Sequence, residues 1–527
     1  MTEAFPFSAA DLQAQFGQKL IPSSIVVHNG AAFWVDASAP TRRLALLVRA
    51  GDPMLDTFRG EATGFRDGFT LKLCHMDHGN ARAVRNALPW LKPGLLGLAT
   101  SAGFGDRLGM ATPGHVRALK RALAEAPGKT ILPIFAQQSI REMVRTNRSA
   151  EDVLTDATFG TFQAGWTQTV GADADHLKTP EDIDACAAVG YSFYTFDPGA
   201  YVDGEVDGTA AAMVQRKLDA LPWDELQSSR GDLQRLYIGK TVRIEDLEIV
   251  LDEPAVLRAA AKYGAAVAHV AKMYRHLMAK RISCEVEVSL DETETPTSHA
   301  EHYYVASELK RLGVSWVSLA TRSVGRFEKG VDYIGDLEEL RVDVEGHAAI
   351  ARELGPYKLS LHSGSDKFSV YPLFVAATRG LVHLKTAGTS YLEALRVIAR
   401  MEPRLFREIL AFARGRYAED RASYHVSADV SRVPAPSALT DQQLPALLED
   451  FDAREVLHVT FGSSLASFEP RLKAILQANE EAYAEGLERH FYRHLVPFAV
   501  YAPAGEQHGE PRPYAGGRRA GPAEPSI

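Results

Sequence analysis

The stretch GLLGLATSAGFGDRLG, residues 94–109, decides how the chain is read, because an apolar run followed by closely spaced glycines opens two very different α/β folds. A dinucleotide-binding loop needs GxGxxG and an acidic residue about 20 positions further on, at the end of the second strand. Here Gly103, Gly105 and Gly109 give GxGxxxG, and Asp106 and Arg107 occupy the turn where a diphosphate needs bare backbone. The next apolar run ends in Gln137 and Gln138 rather than in an acid. The dinucleotide reading is set aside, and the stretch is read as a strand, LLGLA at 95–99, feeding a first βα loop, SAGFGDRLG.

Working outward, short apolar runs alternate with segments of helical periodicity. After LLGLA, strands are expected at ILPIFAQ (131–137), TQTVGADAD (167–175), YSFYTFD (191–197), SCEVEVSL (283–290), SWVSLA (315–320), YKLSLHS (357–363) and LVHLKTA (381–387). Eight strands with crossover helices predict an α/β fold, a (β/α)8 TIM-type barrel. Residues 1–90 form an N-terminal α/β extension, 91–400 the barrel with a helical insertion at about 198–282, 401–502 a helical C-terminal region, and 503–527 a Pro- and Gly-rich tail expected to be disordered.

The bulk numbers exclude several partners. With 58 Lys+Arg against 67 Asp+Glu, the net charge of −9 offers nucleic acid no general attraction. Cys74, Cys186 and Cys284 form no CxxC pair, so neither a disulfide framework nor a cysteine zinc site is expected, and the compartment reads as reducing and cytoplasmic. No basic leader and no apolar run of about 18 residues occurs, so no membrane is expected. A homo-oligomer is left open.

Chemistry in such a barrel sits at the carboxyl ends of the strands. GADADHLK places Asp173, Asp175, His176 and Lys178 there, and the fourth run ends at Asp197. Side chains alternate along a strand, so Glu285 and Glu287 point inward together, as do Ser360 with His362 and His383 with Lys385. Buried charges cost several kcal/mol unless paired or coordinated, so this set points to a metal, and imidazole with carboxylate suits Zn, Mn, Fe, Co or Ni. HSGSDKFSVYP and KTAGTSYLEA look like anion-holding loops. HMDHGN (75–80) reads as a polar turn, DETETP as a solvated loop, and His299 and His302 as structural.

GFGDRLGMATPGH, PIFAQQSIRE, GADADHLK, VSLDETETPTS, LHSGSDKFSVYP and HLKTAGTSYLEALRV resemble the motifs of the tagaturonate epimerase family, over about 94–465. The resemblance implies a divalent-metal-dependent isomerase of hexuronate catabolism that interconverts D-tagaturonate and D-fructuronate, acting on a small sugar acid. It implies His176 and His362 as metal ligands, with His383 or Glu328 (in GRFEKG) as the third. Asp175 would be the base and Glu287 the acid, while Asp106, Arg107, Gln137, Lys367 and Lys385 would bind substrate. Other readings are an epimerase of neutral ketoses, an aldolase of the metal-dependent kind, or a sugar-acid sensor without catalysis.

Overall fold

The computed structural model describes residues 5–501 apart from Pro40 and Ala387, so the tail at 503–527 lies outside the described residues. The N-terminal strands β1 (Val26–His28), β2 (Ala31–Asp36), β3 (Arg43–Arg49), β4 (Gly60–Phe65) and β5 (Phe69–His75) form one antiparallel sheet in the order β1-β2-β3-β5-β4. Period-2 alternation sorts its side chains. Phe33, Val35, Leu44 and Leu46 pack with Phe159 and Phe162 of a barrel helix, and Trp34, Ala45 and Leu47 pack with Phe7 and Leu12. The sheet is thus wedged between the barrel and the start of the chain. In HMDHGN, Asp77 caps the following helix by accepting from the Asn80 N–H.

Eight parallel strands then close into a barrel: β6 (Ser101–Gly105), β7 (Leu132–Ser139), β8 (Gly171–Leu177), β9 (Phe193–Phe196), β12 (Glu285–Ser289), β13 (Ser318–Ala320), β14 (Lys358–Leu361) and β15 (Val382–Thr386). The expected fold is present, with one correction at the stretch that opened the reading. The first strand is SAGFG itself, and LLGLA lies beneath the barrel as its floor. Burial explains why. Leu96 packs against Leu132, Ile134 and Phe193 at the lower strand ends. The N–H groups of Leu96 and Gly97 donate to the Glu285 carboxylate at 2.8 and 2.6 Å, and Lys358 Nζ donates to the Ala99 carbonyl and Ser101 Oγ. An apolar run long enough for a strand is here a plug whose backbone is satisfied by barrel side chains.

Within 198–282 the described structure contains short helices, the antiparallel hairpin β10 (Lys240–Ile244) and β11 (Leu247–Leu251), and the helix Glu253–Ala279. That helix packs on the barrel layer and is itself the crossover between β9 and β12. The C-terminal helices fold back over the barrel. Glu480–Tyr501 lies against Thr112–Ala124 so closely that a Cβ at Gly114 would fall 2.6 Å from Leu487.

A bulge in β8 bears directly on the site. Strict alternation would send Asp175 and His176 to opposite faces. The register of β8 against β9 shifts between Ala174 and Leu177, and His176 adopts φ 55°, a left-handed conformation uncommon for a residue with a Cβ. Both side chains therefore reach the cavity.

The floor gives a test of the corrected strand. Glu285→Ala leaves two amide groups without their acceptor and should cost about 2–4 kcal/mol in a urea unfolding titration, whereas Glu285→Gln, which keeps an acceptor, should cost less than half as much. Equal losses would mean that the carboxylate does not hold the plug.

Candidate active site

Above the apolar contacts of its floor the barrel interior is polar. At mid-height Lys385, fully enclosed, extends its ammonium to three carboxylates: Asp173 at 2.8 Å, Asp175 at 2.7 Å and Glu287 at 2.7 Å. Of these contacts the one to Asp175 is a hydrogen bond, and Nζ donates a second to Thr195 Oγ1 at 2.7 Å. Burial pulls the lysine toward neutrality, but these carboxylates outweigh it and hold it charged. Burial likewise pushes Asp173 up to about 7, while Lys385, His176 and His362 overcome burial at Asp175 and hold it at about 2.

Above this layer stand two histidines. His362 Nε2 lies 2.7 Å from Glu287, which orients the ring from below. Its Nδ1 lies 2.8 Å from Asp291 Oδ1 yet off the line of a hydrogen bond. His176 is set by Asp197, 3.3 Å from its Nδ1, and the two imidazole rings are 5.2 Å apart. Ligand atoms of His176, Asp291 and His362 all lie within 4.8 Å of one another, and Asp197 and Glu292 form an overlapping group with His176. Ligand atoms gathered this closely could hold a divalent first-row cation, and two imidazoles with a carboxylate are a suitable donor set.

The third position beside the two histidines is thus taken by Asp291, which the sequence reading placed in a solvated loop. The strand pattern carried the signal: Glu285, Glu287, Ser289 and Asp291 alternate, and Ser289 Oγ donates to Asp291 at 2.7 Å. Neither expected third ligand is there. His383 sits a layer lower, its Nδ1 2.9 Å from Ser101 Oγ and its ring against Phe193, and burial lowers it to about 3. Glu328 instead accepts from Ser427 N–H and Oγ, each at 2.8 Å, beside the buried Glu455.

Other expected residues divide the same way. Asp175, Gln137, Arg107 and Lys385 line the cavity. Gln137 donates to Asp175 at 3.0 Å. Glu287 is completely buried, absent from the lining, and held ionised against burial by Lys385 and His362, which does not suit a proton donor. Asp106 spends both oxygens on the N–H groups of Leu108, Gly109 and Ala111 and shapes the loop. Lys367 donates to the carbonyls of Glu328, Val331 and Ser365, so it staples two loops and does not face a substrate.

Arg107 is held rigidly in the cavity lining. Its Nε and Nη2 donate to Glu142, its face lies 3.5 Å over Phe461, and its buried Nη1 has no partner. Gly388, at φ 93°, lets the loop after β15 cross the guanidinium, because a Cβ there would lie 2.7 Å from Nη2. Arg141, Lys329, Tyr424 and His458 complete the wall, and an adjoining chamber of about 430 Å³ shares His362, Asp291 and Lys329 with it. Tyr424, His458 and Phe461 come from the C-terminal region, where nothing in the local sequence marks them.

A family model described as tagaturonate epimerase matches residues 22–497, wider than the span covered by the recognisable motifs. The tagaturonate/fructuronate epimerase of Thermotoga maritima is 45% identical over 431 residues, covering 81% of this chain and 87% of that protein. The crystal structure of fructuronate-tagaturonate epimerase from Cohnella laeviribosi superposes with a TM-score of 0.85 at 34% identity, covering 93% of this chain and 99% of that one. The same enzyme with two glycerols gives a TM-score of 0.85 over 92% of this chain and 98% of that one, at 34% identity. Among the described residues no helix is long and apolar enough to cross a membrane.

The Glu328–Glu455 pair gives a pH signature. Burial, then its hydrogen bond and repulsion with Glu328, push Glu455 up to about 8 from an ordinary 4.5. A carboxyl whose folded pKa is raised stabilises the fold most fully below its unfolded pKa and loses that contribution as pH rises toward 8. The melting temperature should therefore fall between pH 5 and 8.5, and Glu455→Gln should flatten that fall in differential scanning fluorimetry. An unchanged slope in the variant would place the titration elsewhere.

Proposed function

This chain belongs to the tagaturonate epimerase family, and on that premise we propose that it interconverts D-tagaturonate and D-fructuronate by breaking and remaking the C3–C4 bond. The observation that carries the reading is the gathering of His176, Asp291 and His362 in a cavity that Arg107, with its unpartnered Nη1, also lines.

In ketose numbering the two sugar acids differ at C4, which is β to the C2 ketone. The C4 proton is not acidified by that ketone, whereas a C4 hydroxyl β to a carbonyl is what retro-aldol cleavage requires. A divalent cation held by His176, Asp291 and His362 would supply Lewis-acid stabilisation of negative charge at the carbonyl oxygen. The chain's own residues account for the rest. Asp175, ionised and open to the cavity, takes the C4 hydroxyl proton. The C3–C4 pair stays on C3 and C4 becomes an aldehyde, which rotates and is attacked on its other face, and the new C4 oxygen takes the proton back. Lys385 fixes Asp175 in place, and Glu287 fixes His362. Arg107 holds the substrate carboxylate, which keeps the aldehyde fragment from leaving while it turns.

Glu287 is therefore assigned to positioning, and Asp106 and Lys367 to loop structure. A neutral ketose would offer the unpartnered Nη1 of Arg107 no charged acceptor, Glu142 being bound at the other two nitrogens, which favours the uronate.

Incubation of metal-loaded and chelated protein with D-fructuronate, followed by NMR in D2O, should show tagaturonate forming only in the loaded sample, with no deuterium at C4. Full activity after chelation would remove the metal from the reaction, and deuterium at C4 would replace bond cleavage by direct proton exchange. Arg107→Ala should raise KM about 10–100-fold, the loss of one charge-assisted contact, with a smaller change in kcat. An unchanged KM would return Arg107 to a purely structural role.

A further inference from the structure

Outside the barrel, a second group of imidazoles and a carboxylate meets between two helices. His299, at the start of His299–Arg311, faces Asp343 and His347 of Leu337–Leu354, and ligand atoms of all three lie within 4.8 Å of one another. Asp343 and His347 are four residues apart, so one helix face presents both. Gly346 admits the third: a Cβ there would fall 2.3 Å from the His299 ring.

Packing alone does not explain His347. It is completely buried, yet its Nε2 has no hydrogen-bond partner and stands 3.4 Å from Asp343 Oδ1. Its other nitrogen lies 3.0 Å from His302 Nδ1, and His302 Nε2 lies 2.8 Å from the Tyr357 hydroxyl. In one proton arrangement that satisfies the whole row, a metal-ready nitrogen results. His302 donates through Nε2 to Tyr357 and accepts at Nδ1 from the Nδ1–H of His347, leaving the Nε2 lone pair of His347 aimed into the cluster. A ring pinned through its outer nitrogen in this way is the outer support that metal-bound histidines have. Asp343 Oδ2 accepts from Val324 N–H and Oδ1 faces His347, while His299 Nε2 rests 3.0 Å from the Asp343 carbonyl, a backbone contact that an ion bound through that nitrogen would replace.

We infer that His299, Asp343 and His347 form a second divalent-metal site, of the zinc class, separate from the barrel cavity. Two imidazoles and one carboxylate leave a fourth tetrahedral position for water, and His299, half-buried, lies on the side open to solvent. The site also has a place in the architecture. His299 directly follows the loop 291–298 that carries Asp291, and Asp343 holds Val324 of the loop that carries Lys329. An ion there braces two of the loops that frame the cavity. The buried Asp366, His490 and His494 do not make a comparable site: His494 Nε2 already accepts from Asp366 N–H, and Asp366 is paired with Arg454 at 2.9 Å.

The test is zinc stoichiometry of the full-length chain, stripped with chelator, dialysed against micromolar Zn2+ and counted by atomic emission. Asp343→Asn and His299→Gln should each retain one zinc per chain fewer than the unmodified protein. His362→Ala should keep the zinc that those two variants lose, so the outcome does not depend on the cavity metal. Zinc should also raise the melting temperature of His362→Ala, and the rise should vanish when His299→Gln is added. If Asp343→Asn fails to fold, His299→Gln decides alone, since its ring is half-buried at a helix start. Equal zinc in the unmodified protein and His299→Gln, or retention only at millimolar Zn2+, would overturn the site.

Discussion

The ammonium of Lys385 is the interaction on which the interior depends. It is the one cation at mid-barrel among the described residues that touches Asp173, Asp175 and Glu287 together, and those carboxylates come from two different strands, β8 and β12. Three negative groups around one positive group leave the layer short of positive charge. The histidines above make up part of the difference, with Asp175 raising His176 to about 10 and Asp291 and Glu287 raising His362 to about 9 against the opposing effect of burial. A divalent ion held as proposed would displace protons from the same nitrogens. The excess of carboxylate thus creates a standing demand for cations, which a metal held as proposed would meet in place of protons.

That demand also explains how the reactive side chains are held. Asp175 is fixed by Lys385 and Gln137, His362 by Glu287, and His176 by Asp197. Each cavity-facing group rests on a buried one, which is how a site keeps its geometry without help from substrate. The C-terminal helices complete the enclosure from above. Arg107 is gripped by Glu142 and covered by Phe461, so a residue from the first βα loop is positioned by a helix more than three hundred residues later in the chain.

How much of this was legible in the sequence follows from what each feature depends on. Seven of the eight strands were legible because periodicity and length are local. The paired inward residues Glu285 with Glu287 and His383 with Lys385 were legible because alternation is local too. LLGLA was misread because a strand and a buried plug are both short apolar runs, and only Glu285, nearly two hundred residues away, separates them. Asp291 was legible by extending the alternation one step beyond the strand, but its setting among Glu and Thr residues resembled a solvated loop. His176 needed a bulge that no residue pattern announced. Lys367 and Asp106 carried the right charge in the right motif, but backbone groups claim them, and only the folded chain shows which donors are spent. Tyr424 and His458 carried no signal at all, since their role rests wholly on how the last helices fold back.

The polar lumen has a further consequence for where stability resides. The large apolar cluster of this chain lies between the strands and the helical shell, in residues such as Phe104, Phe135, Val286, Leu359 and Leu384, which alternate with the inward polar set. Burying ion pairs seldom adds stability compared with apolar residues of the same volume, because desolvation consumes most of the Coulombic gain. The inward faces of β8, β12, β14 and β15 are therefore kept at a cost to the fold, and the outward faces offset it. The two faces of each strand divide the work, so that the residues that hold the barrel closed and those that prepare its chemistry are neighbours in sequence with almost no side-chain contact in common.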